Sequence, residues 1–130
     1  MDDQLMTTRK EPGRYAYGGL DRVIHEKARL SIVSSLAGQA DGLLFNELKE
    51  VCCLTDGNLS RHISILQDAA VVEVWKRLRN NRSQTLVRLT AEGRKRFLEY
   101  LAQLEQVIAD ANKAAPAGLQ SGRLEARPTA

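Results

Sequence analysis

The sequence has few cysteines, which cross-link small secreted proteins, and it lacks the long apolar run that a membrane helix requires. Its 130 residues include only two cysteines, which are adjacent at Cys52 and Cys53. Adjacent cysteines disfavour an ordinary disulfide and lack the spacing of metal ligands. No apolar run approaches the roughly 20 residues that a membrane helix needs, and the polar N-terminus lacks the apolar middle of a signal peptide. These absences predict a cytoplasmic protein of one domain plus tails, without a membrane partner, metal or cofactor.

Patterns typical of enzymes are also missing. The sequence has no Ser/His/Asp arrangement, no glycine-rich phosphate loop and no paired-carboxylate motif, so it is not expected to be an enzyme. His25 and His62 stand apart from other metal-ligand residues, and both are interpreted as surface or half-buried side chains without a function. A thiol redox switch is disfavoured because no basic residue adjoins either cysteine.

Positive charge is concentrated in one third of the chain. The net charge is +3, but the segment from Thr55 to Arg96 has nine basic and four acidic residues and sums to +5, which leaves −2 for the remainder. Such a concentration is typical of a protein that binds a polyanion, although basic runs also serve simply to solubilise a surface.

Apolar spacing predicts the elements of the first half of the chain. Residues 1–19 contain several glycines and a proline and are predicted to form a mobile N-terminal arm that docks through Tyr15 and Tyr17. The arm is followed by a helix over Leu20–Ala37 with a short lead-in, an apolar stretch over Leu43–Phe45, a second helix capped by Asn46 and ending near Cys53, and a third helix capped by Thr55 that covers about 55–70.

A hairpin and a long helix are predicted for the second half. The stretches V-V-E-V-W-K-R-L and T-L-V-R-L are rich in β-branched residues and flank R-N-N-R-S-Q, with Asn80 and Asn81 at the positive-φ positions of a turn. Thr90 is predicted to cap a helix over about 90–112, and residues 113–130 are predicted to be a disordered tail.

The final helix has an apolar stripe with the four-three spacing of a coiled-coil seam. A small domain needs only the first turns of such a helix, so the rest of the stripe lacks a partner within the chain. We therefore predict a symmetric homodimer, the alternative being that the helix folds back on its own domain. The predicted dimer interface consists of Phe97, Tyr100, Leu101, Leu104, Val107 and Ile108.

The third helix is predicted to have an unusual outward face. A step of about 100° per residue gives an inward stripe of Leu59, Ile63, Leu66 and Ala70. The opposite stripe consists of Gly57, Arg61, Ser64 and Asp68, with Asn58 and Ser60 at its flanks. An ordinary solvated face is usually long lysine and glutamate, whereas this one has short hydrogen-bonding groups, one forked cation and a glycine that lets another surface come close. The order of helix, short strand, helix, tight turn, helix, basic hairpin and helix predicts a winged helix-turn-helix, which is mainly α with a small β-hairpin (α+β).

The chain resembles the MarR/ArsR-like winged helix transcriptional regulators in four stretches. These are D-R-V-I-H-E-K-A-R-L-S-I-V-S-S-L at 21–36, F-N-E-L-K at 45–49, L-T-D-G-N-L-S-R-H-I at 54–63 and L-T-A-E-G-R at 89–94. The resemblance covers about residues 20–110 and is nearest to a small single-domain branch in which L-T-D-G-N-L-S-x-H marks the recognition helix. It implies that residues 20–112 form one winged helix-turn-helix domain with a long C-terminal dimerisation helix.

The resemblance further implies that a homodimer, interpreted as a repressor, binds a pseudo-palindromic operator in double-stranded DNA. The third helix would lie in the major groove and the basic hairpin, or wing (residues 76–88), on the neighbouring backbone or minor groove. The fork of Arg61 suits guanine, Asn58 suits adenine, and the positive end of the helix at Thr55 suits a phosphate. The wing has five cations with no acidic residue between them: Lys76, Arg77, Arg79, Arg82 and Arg88. Their contacts should fix the position of the protein on the DNA rather than read its sequence. The predicted DNA-binding residues are Thr55, Asn58, Ser60, Arg61, Ser64, Lys76, Arg77, Arg79, Asn80, Asn81 and Arg82.

A second hypothesis is a winged-helix protein–protein interaction module that has lost DNA binding. Such a module should have an apolar outward stripe on its third helix, and the polar, basic stripe of this chain favours DNA binding instead. No cluster of residues marks a pocket for a small-molecule effector, and the sequence leaves the existence of an effector open.

Overall fold

A computed structural model of the protein describes residues 11–114, which fall into two compact units. The first, called here the winged-helix unit, is Leu20–Tyr100, and the described part of the second comprises residues 11–19 and 101–114. The sequence-based expectations for residues 1–10 and for a tail over 115–130 lie outside the described residues.

Four helices and three strands make up the described chain, and they confirm the predicted α+β winged-helix fold. They are α1 (Lys27–Ala37), β1 (Leu43–Leu44), α2 (Phe45–Cys52), α3 (Asp56–Asp68), β2 (Val72–Arg79), β3 (Arg82–Leu89) and α4 (Ala91–Ala114). The strands form one antiparallel sheet in the order β1-β3-β2. Helix α4 begins in the winged-helix unit and continues in the second unit.

The first two helices begin at other residues than the sequence predicted. Helix α1 begins at Lys27, and Glu26 caps it by accepting a hydrogen bond from the Arg29 N–H at 2.9 Å. The predicted lead-in before it consists of turns. Helix α2 begins at Phe45, so the prediction that Asn46 is its cap is wrong. Its preceding strand pairs with β3 up to Leu44, and the chain turns directly from that pair into the helix.

The core of the winged-helix unit lies between the helices and the inner face of the sheet. Its buried apolar residues are Ile24, Ile32, Val33, Leu36, Leu48, Leu59, Ile63, Leu66, Val71, Val72, Val87, Leu89, Phe97 and Tyr100. The rings of Phe97 and Tyr100 stack with centroids 6.3 Å apart, and the Tyr100 hydroxyl lies 2.7 Å from Nδ1 of His25. The first turns of α4 therefore close the core, as predicted for a small domain.

Helix α3 ends in a Schellman motif with an alanine at the position that glycine usually takes. The Val71 N–H donates to the Leu66 carbonyl and the Ala70 N–H to the Gln67 carbonyl, both at 2.9 Å. Ala70 has a φ of 63°, in the left-handed region that disfavours a residue with a Cβ. The end of α3 is thus strained at one residue.

Ala70→Gly is expected to raise the free energy of unfolding by roughly 1 kcal/mol. Glycine removes the energetic penalty of the left-handed conformation, and the greater conformational entropy of the unfolded chain cancels only part of that stabilisation. Urea denaturation measures the change. The control is Ala69→Gly. Ala69 has an ordinary φ of −86°, so glycine at this position should lower the free energy of unfolding. Destabilisation by Ala70→Gly would contradict this account of the helix end.

In the second unit a buried carboxylate joins the N-terminal turns to α4. The Arg14 guanidinium donates to both Asp110 oxygens at 3.1 and 3.2 Å, and the Tyr17 hydroxyl donates to Oδ2 at 2.7 Å. The hydrogen bond from Arg14 is the largest of the causes that hold the pKa of Asp110 far below its ordinary value. Tyr15, the other tyrosine predicted to dock, is 60% exposed, so Tyr17 and Arg14 hold these turns.

Candidate nucleic-acid interface

Helix α3 starts at a threonine cap, as predicted. The Thr55 Oγ1 accepts a hydrogen bond from the Asn58 N–H at 3.2 Å, which satisfies one of the amides at the helix start. The turn from α2 passes through Cys53 with a φ of 54°. Across that turn, Lys49 Nζ lies 2.7 Å from Asp56 Oδ1, so a cation compensates the acidic residue at the start of the helix.

The two faces of α3 are close to those predicted. Leu59, Ile63 and Leu66 are buried, but Ala70 is exposed and lies beyond the helix, so its predicted place on the inward stripe is wrong. The exposed residues of the opposite face include all five residues of α3 and its cap that are predicted to contact DNA. They are Thr55, Asn58, Ser60, Arg61 and Ser64, together with Gly57 and Asp68.

Arg61 and Asn58 are joined on this face. Arg61 Nη2 donates to Asn58 Oδ1 at 3.4 Å, a long hydrogen bond between exposed side chains one turn apart. The amide oxygen of Asn58 therefore orients the guanidinium. An adenine contact by Asn58 needs that same oxygen as an acceptor, so orienting Arg61 competes with the predicted adenine contact.

The wing is a tight hairpin with a cationic end. Asn80 and Asn81 have φ of 53° and 63°, which confirms the predicted positive-φ turn. Arg79 and Arg82 pair across this turn and line, with Asn80 and Gln84, an open hollow of about 560 Å³. Lys76, Arg77, Arg79 and Arg82 are all exposed, as are both asparagines.

Arg88 is the exception among the five cations of the wing. The antiparallel register places it opposite Glu73, and Arg88 Nη2 lies 2.6 Å from Glu73 Oε1. This hydrogen bond is the largest cause that lowers the pKa of Glu73. The Arg88 guanidinium also lies 5.8 Å from the ring centroid of Trp75. Its charge is thus partly compensated by Glu73, so Arg88 is less available for a contact with DNA than the other four cations.

Two arginines at the start of α4 stabilise the fold. Arg96 donates from Nη1 to the Ala69 carbonyl at 2.8 Å and from Nε to Asp21 Oδ2 at 2.7 Å. Arg94 donates to the Ala37 carbonyl at 3.3 Å. Both bind carbonyls at helix C-terminal ends, where cations are favoured. Arg61 of α3 and the four exposed cations of the wing therefore remain the candidate residues for binding a polyanion, and Lys95 at the start of α4 is a further exposed cation.

Sequence reasoning missed a buried polar contact behind α3. His62 was expected to have no function, yet it is 5% exposed and its Nδ1 lies 3.1 Å from Arg29 Nη1. The only sequence signal is its position beside the inward residue Ile63.

The cysteines are poorly placed for redox chemistry. Cys52 Sγ lies 3.9 Å from Ser35 Oγ, and burial raises the pKa of the Cys52 thiol, which disfavours the reactive thiolate. Within residues 11–114, no three His, Cys, Asp or Glu side chains lie close enough to hold a metal ion. No helix in the same range has the length and apolar character of a membrane span.

The residues predicted to form the dimer interface divide between the two units. Phe97 and Tyr100 are covered by the core of the winged-helix unit, so their own chain already provides their contacts. In the second unit, Leu101 is 39% exposed and Ile108 59% exposed, while Leu104 and Val107 are half-buried.

The fold and the exposed face of α3 beside a cationic hairpin define a winged-helix protein. A family model described as a winged helix DNA-binding domain matches residues 28–108, and the chain belongs to that family. An uncharacterized protein of Methanocaldococcus jannaschii is 33% identical over 86 residues, which cover 66% of this chain and 92% of that protein.

Solved structures agree with this assignment. The transcriptional regulator homologue of Pyrococcus horikoshii OT3 is 25% identical with a TM-score of 0.65, and the match covers 84% of this chain and 97% of that chain. A MarR-family transcriptional regulator of Rhodococcus sp. RHA1 has the same fold, with 15% identity, a TM-score of 0.56 and coverage of 94% and 88%. The predicted resemblance to winged helix transcriptional regulators is confirmed.

Proposed function

We propose that the protein represses transcription by binding an operator in double-stranded DNA as a homodimer. The observation that carries the proposal is the exposed polar face of α3 with Arg61 at its centre, in the same compact unit as the cationic wing. The alternative, a protein interaction module, would require an apolar face at this place, and the seven residues of this face include none with a large apolar side chain.

Helix α3 is suited to reading the major groove. Its 13 residues span about 20 Å, and an α-helix fits the groove of B-DNA. Arg61 matches the O6 and N7 acceptors of guanine, and Asn58 supports it through the hydrogen bond between the two side chains. Ser60 and Ser64 are short enough to contact bases or phosphates, and the amides after Thr55 favour a phosphate.

The wing supplies affinity that does not depend on sequence. Lys76, Arg77, Arg79 and Arg82 are exposed cations on two paired strands, and contacts from such residues to phosphates fix the register of a protein on DNA. Release of counterions from the DNA makes this contribution fall as the salt concentration rises.

The second part of α4 is the proposed dimer surface. Leu101, Leu104 and Ile108 keep the three-four spacing of the seam with Val107 beside it, and Leu101 and Ile108 are exposed. Pairing with the same surface of a second copy would bury them and relate two recognition helices by a two-fold axis. A pseudo-palindromic operator follows from that symmetry, and a bound dimer would repress by blocking a promoter.

The test is selection of duplexes from a random pool, followed by sedimentation of the protein alone and with a selected duplex. We expect inverted half-sites one helical turn apart, two protein chains per duplex and affinity that falls steeply with salt. An unselective pool would refute sequence-specific binding. Selective binding by one chain per duplex would refute only the dimer.

Gly57→Ala separates folding from DNA binding on the same helix. A Cβ on Gly57 meets no atom within 4 Å, so alanine should stabilise α3 by up to about 1 kcal/mol through its helix propensity. The added methyl group projects from the face proposed to enter the groove, and we expect weaker binding to the selected duplex. Thermal unfolding and fluorescence anisotropy measure the two effects. Unchanged affinity would exclude a close approach of DNA at this residue.

A further inference from the structure

A half-buried arginine connects the turns before α1 to the inner side of α3. Arg29 Nε donates to the Val23 carbonyl at 2.6 Å, while Nη1 of the same guanidinium lies 3.1 Å from His62 Nδ1. The side chains of Arg29 and His62 are 15% and 7% exposed. One rigid fork thus holds both a fixed backbone carbonyl and the residue that follows Arg61 in the recognition helix.

The chemistry of the fork fixes the tautomer of His62. A guanidinium only donates hydrogen bonds, so Nδ1 of His62 must accept and the ring proton must reside on Nε2. The imidazole is therefore neutral in this arrangement. A proton on Nδ1 would remove the acceptor and bring a second cation within 3.1 Å of Arg29 Nη1.

The charged groups around His62 mostly oppose its protonation. Burial is the largest cause that lowers the pKa of His62, and Arg61 and Arg29 lower it further. Glu26 acts in the opposite direction, since its Oε1 lies 3.8 Å from His62 Nδ1. That carboxylate already caps α1 through the Arg29 N–H, and it lies 3.9 Å from the Arg29 guanidinium.

We propose that Arg29 and His62 are positioning residues for DNA recognition, and that a proton on His62 breaks their contact and releases α3 from the position in which Arg61 meets the DNA. This inference rests on the proposed function, because it takes α3 as the helix that reads the sequence. His62 contacts no DNA in this account and acts only through the placement of its helix.

The predicted consequence is a loss of DNA affinity in acid. The bound state requires neutral His62, and the pKa of His62 in the free protein lies under the ordinary value of about 6.5. Affinity for DNA should therefore fall by up to about tenfold per pH unit as the pH drops below that pKa. General electrostatics predicts the reverse, since protonation adds positive charge and should strengthen binding to DNA. The direction of the pH dependence therefore separates the two effects.

The experiment measures affinity for a selected duplex from pH 7.5 to pH 5 with wild-type protein, His62→Gln and His25→Gln. Glutamine accepts a hydrogen bond from Arg29 but does not titrate, so His62→Gln should bind within about twofold of wild type at pH 7.5 and lose the acid effect. His25→Gln is the matched control, because His25 is exposed and contacts Tyr100 instead, and it should keep the acid effect.

The outcomes distinguish this inference from the proposed function. Equal pH profiles for wild type and His62→Gln would overturn the inference and leave sequence-specific binding intact. Absence of any selected duplex would instead overturn the proposed function, and the inference with it. If His62→Gln fails to fold, nitrogen NMR of the wild-type imidazole decides: a neutral ring with the proton on Nε2 at pH 7.5 supports the hydrogen bond from Arg29 to His62, and a proton on Nδ1 refutes it.

Discussion

Arg61→Ala is expected to weaken binding to the selected duplex by roughly 5- to 150-fold, because one bidentate contact to a base discriminates by about 1–3 kcal/mol. The loss should concentrate at one base pair, since Arg61 is the only cation on the polar face of α3 within the described chain. Repeating the duplex selection with the variant measures it, and the preference for guanine at one position should disappear.

Two further variants test the division of labour between helix and wing. Arg61→Lys keeps the charge but loses the planar fork, so it should retain affinity for random DNA and lose the guanine preference. Arg82→Ala should weaken all duplexes alike and lower the salt slope by about one. If Arg61→Ala instead weakened selected and random duplexes equally, α3 would be contacting only the backbone.

Gly93→Ala is expected to lower the free energy of unfolding by about 2–3 kcal/mol, as overpacking does at a tightly packed site. A Cβ on Gly93 would lie 2.8 Å from the carbonyl carbon of Val71 and closer still to its oxygen. Those are backbone atoms, and Val71 is held in place because its carbonyl accepts from the Thr90 N–H at 3.0 Å. Relief therefore requires a shift of α4 against β2.

Urea denaturation of Gly93→Ala and of a second glycine variant measures the effect. Gly38→Ala is the matched control, since a Cβ there meets nothing within 4 Å and the backbone φ is −89°. We expect Gly38→Ala to change the free energy of unfolding by less than about 0.5 kcal/mol. Equal stability of the two variants would show that the first turn of α4 can shift away from Val71 at little cost in free energy.

Short-range signals explain which parts of the fold the sequence predicts correctly. Thr55 and Thr90 cap their helices because a hydroxyl needs only the amide three residues later, at 3.2 Å and 2.8 Å. Asn80 and Asn81 are predicted correctly because a two-residue hairpin turn needs positive φ at both positions, and asparagine is one of the few residues that adopts it readily. Each of these outcomes depends on a few neighbouring residues, and so does the polar face of α3.

The errors arise where partners are distant in sequence. Asn46 has the chemistry of a cap, but the pairing of Leu44 with Leu86 decides where α2 begins. Arg88 has no acidic neighbour in sequence, and the register of the hairpin brings Glu73 to it. The contact between Arg29 and His62 joins residues 33 apart. Helical periodicity contains no information on such contacts, so the predicted site omitted the residues that hold α3.

The two-residue turn of the wing has a consequence for the kinetics of DNA binding. The strands are paired up to Arg79 and Arg82 without DNA, so the proposed contact of the wing with DNA would need little change in its backbone conformation. Binding would then reduce the rotamer entropy of the side chains but little of the backbone entropy, whereas the ordering of a long loop would reduce both. Encounter with DNA should accordingly be limited by diffusion and charge attraction, without a slow folding step in the wing.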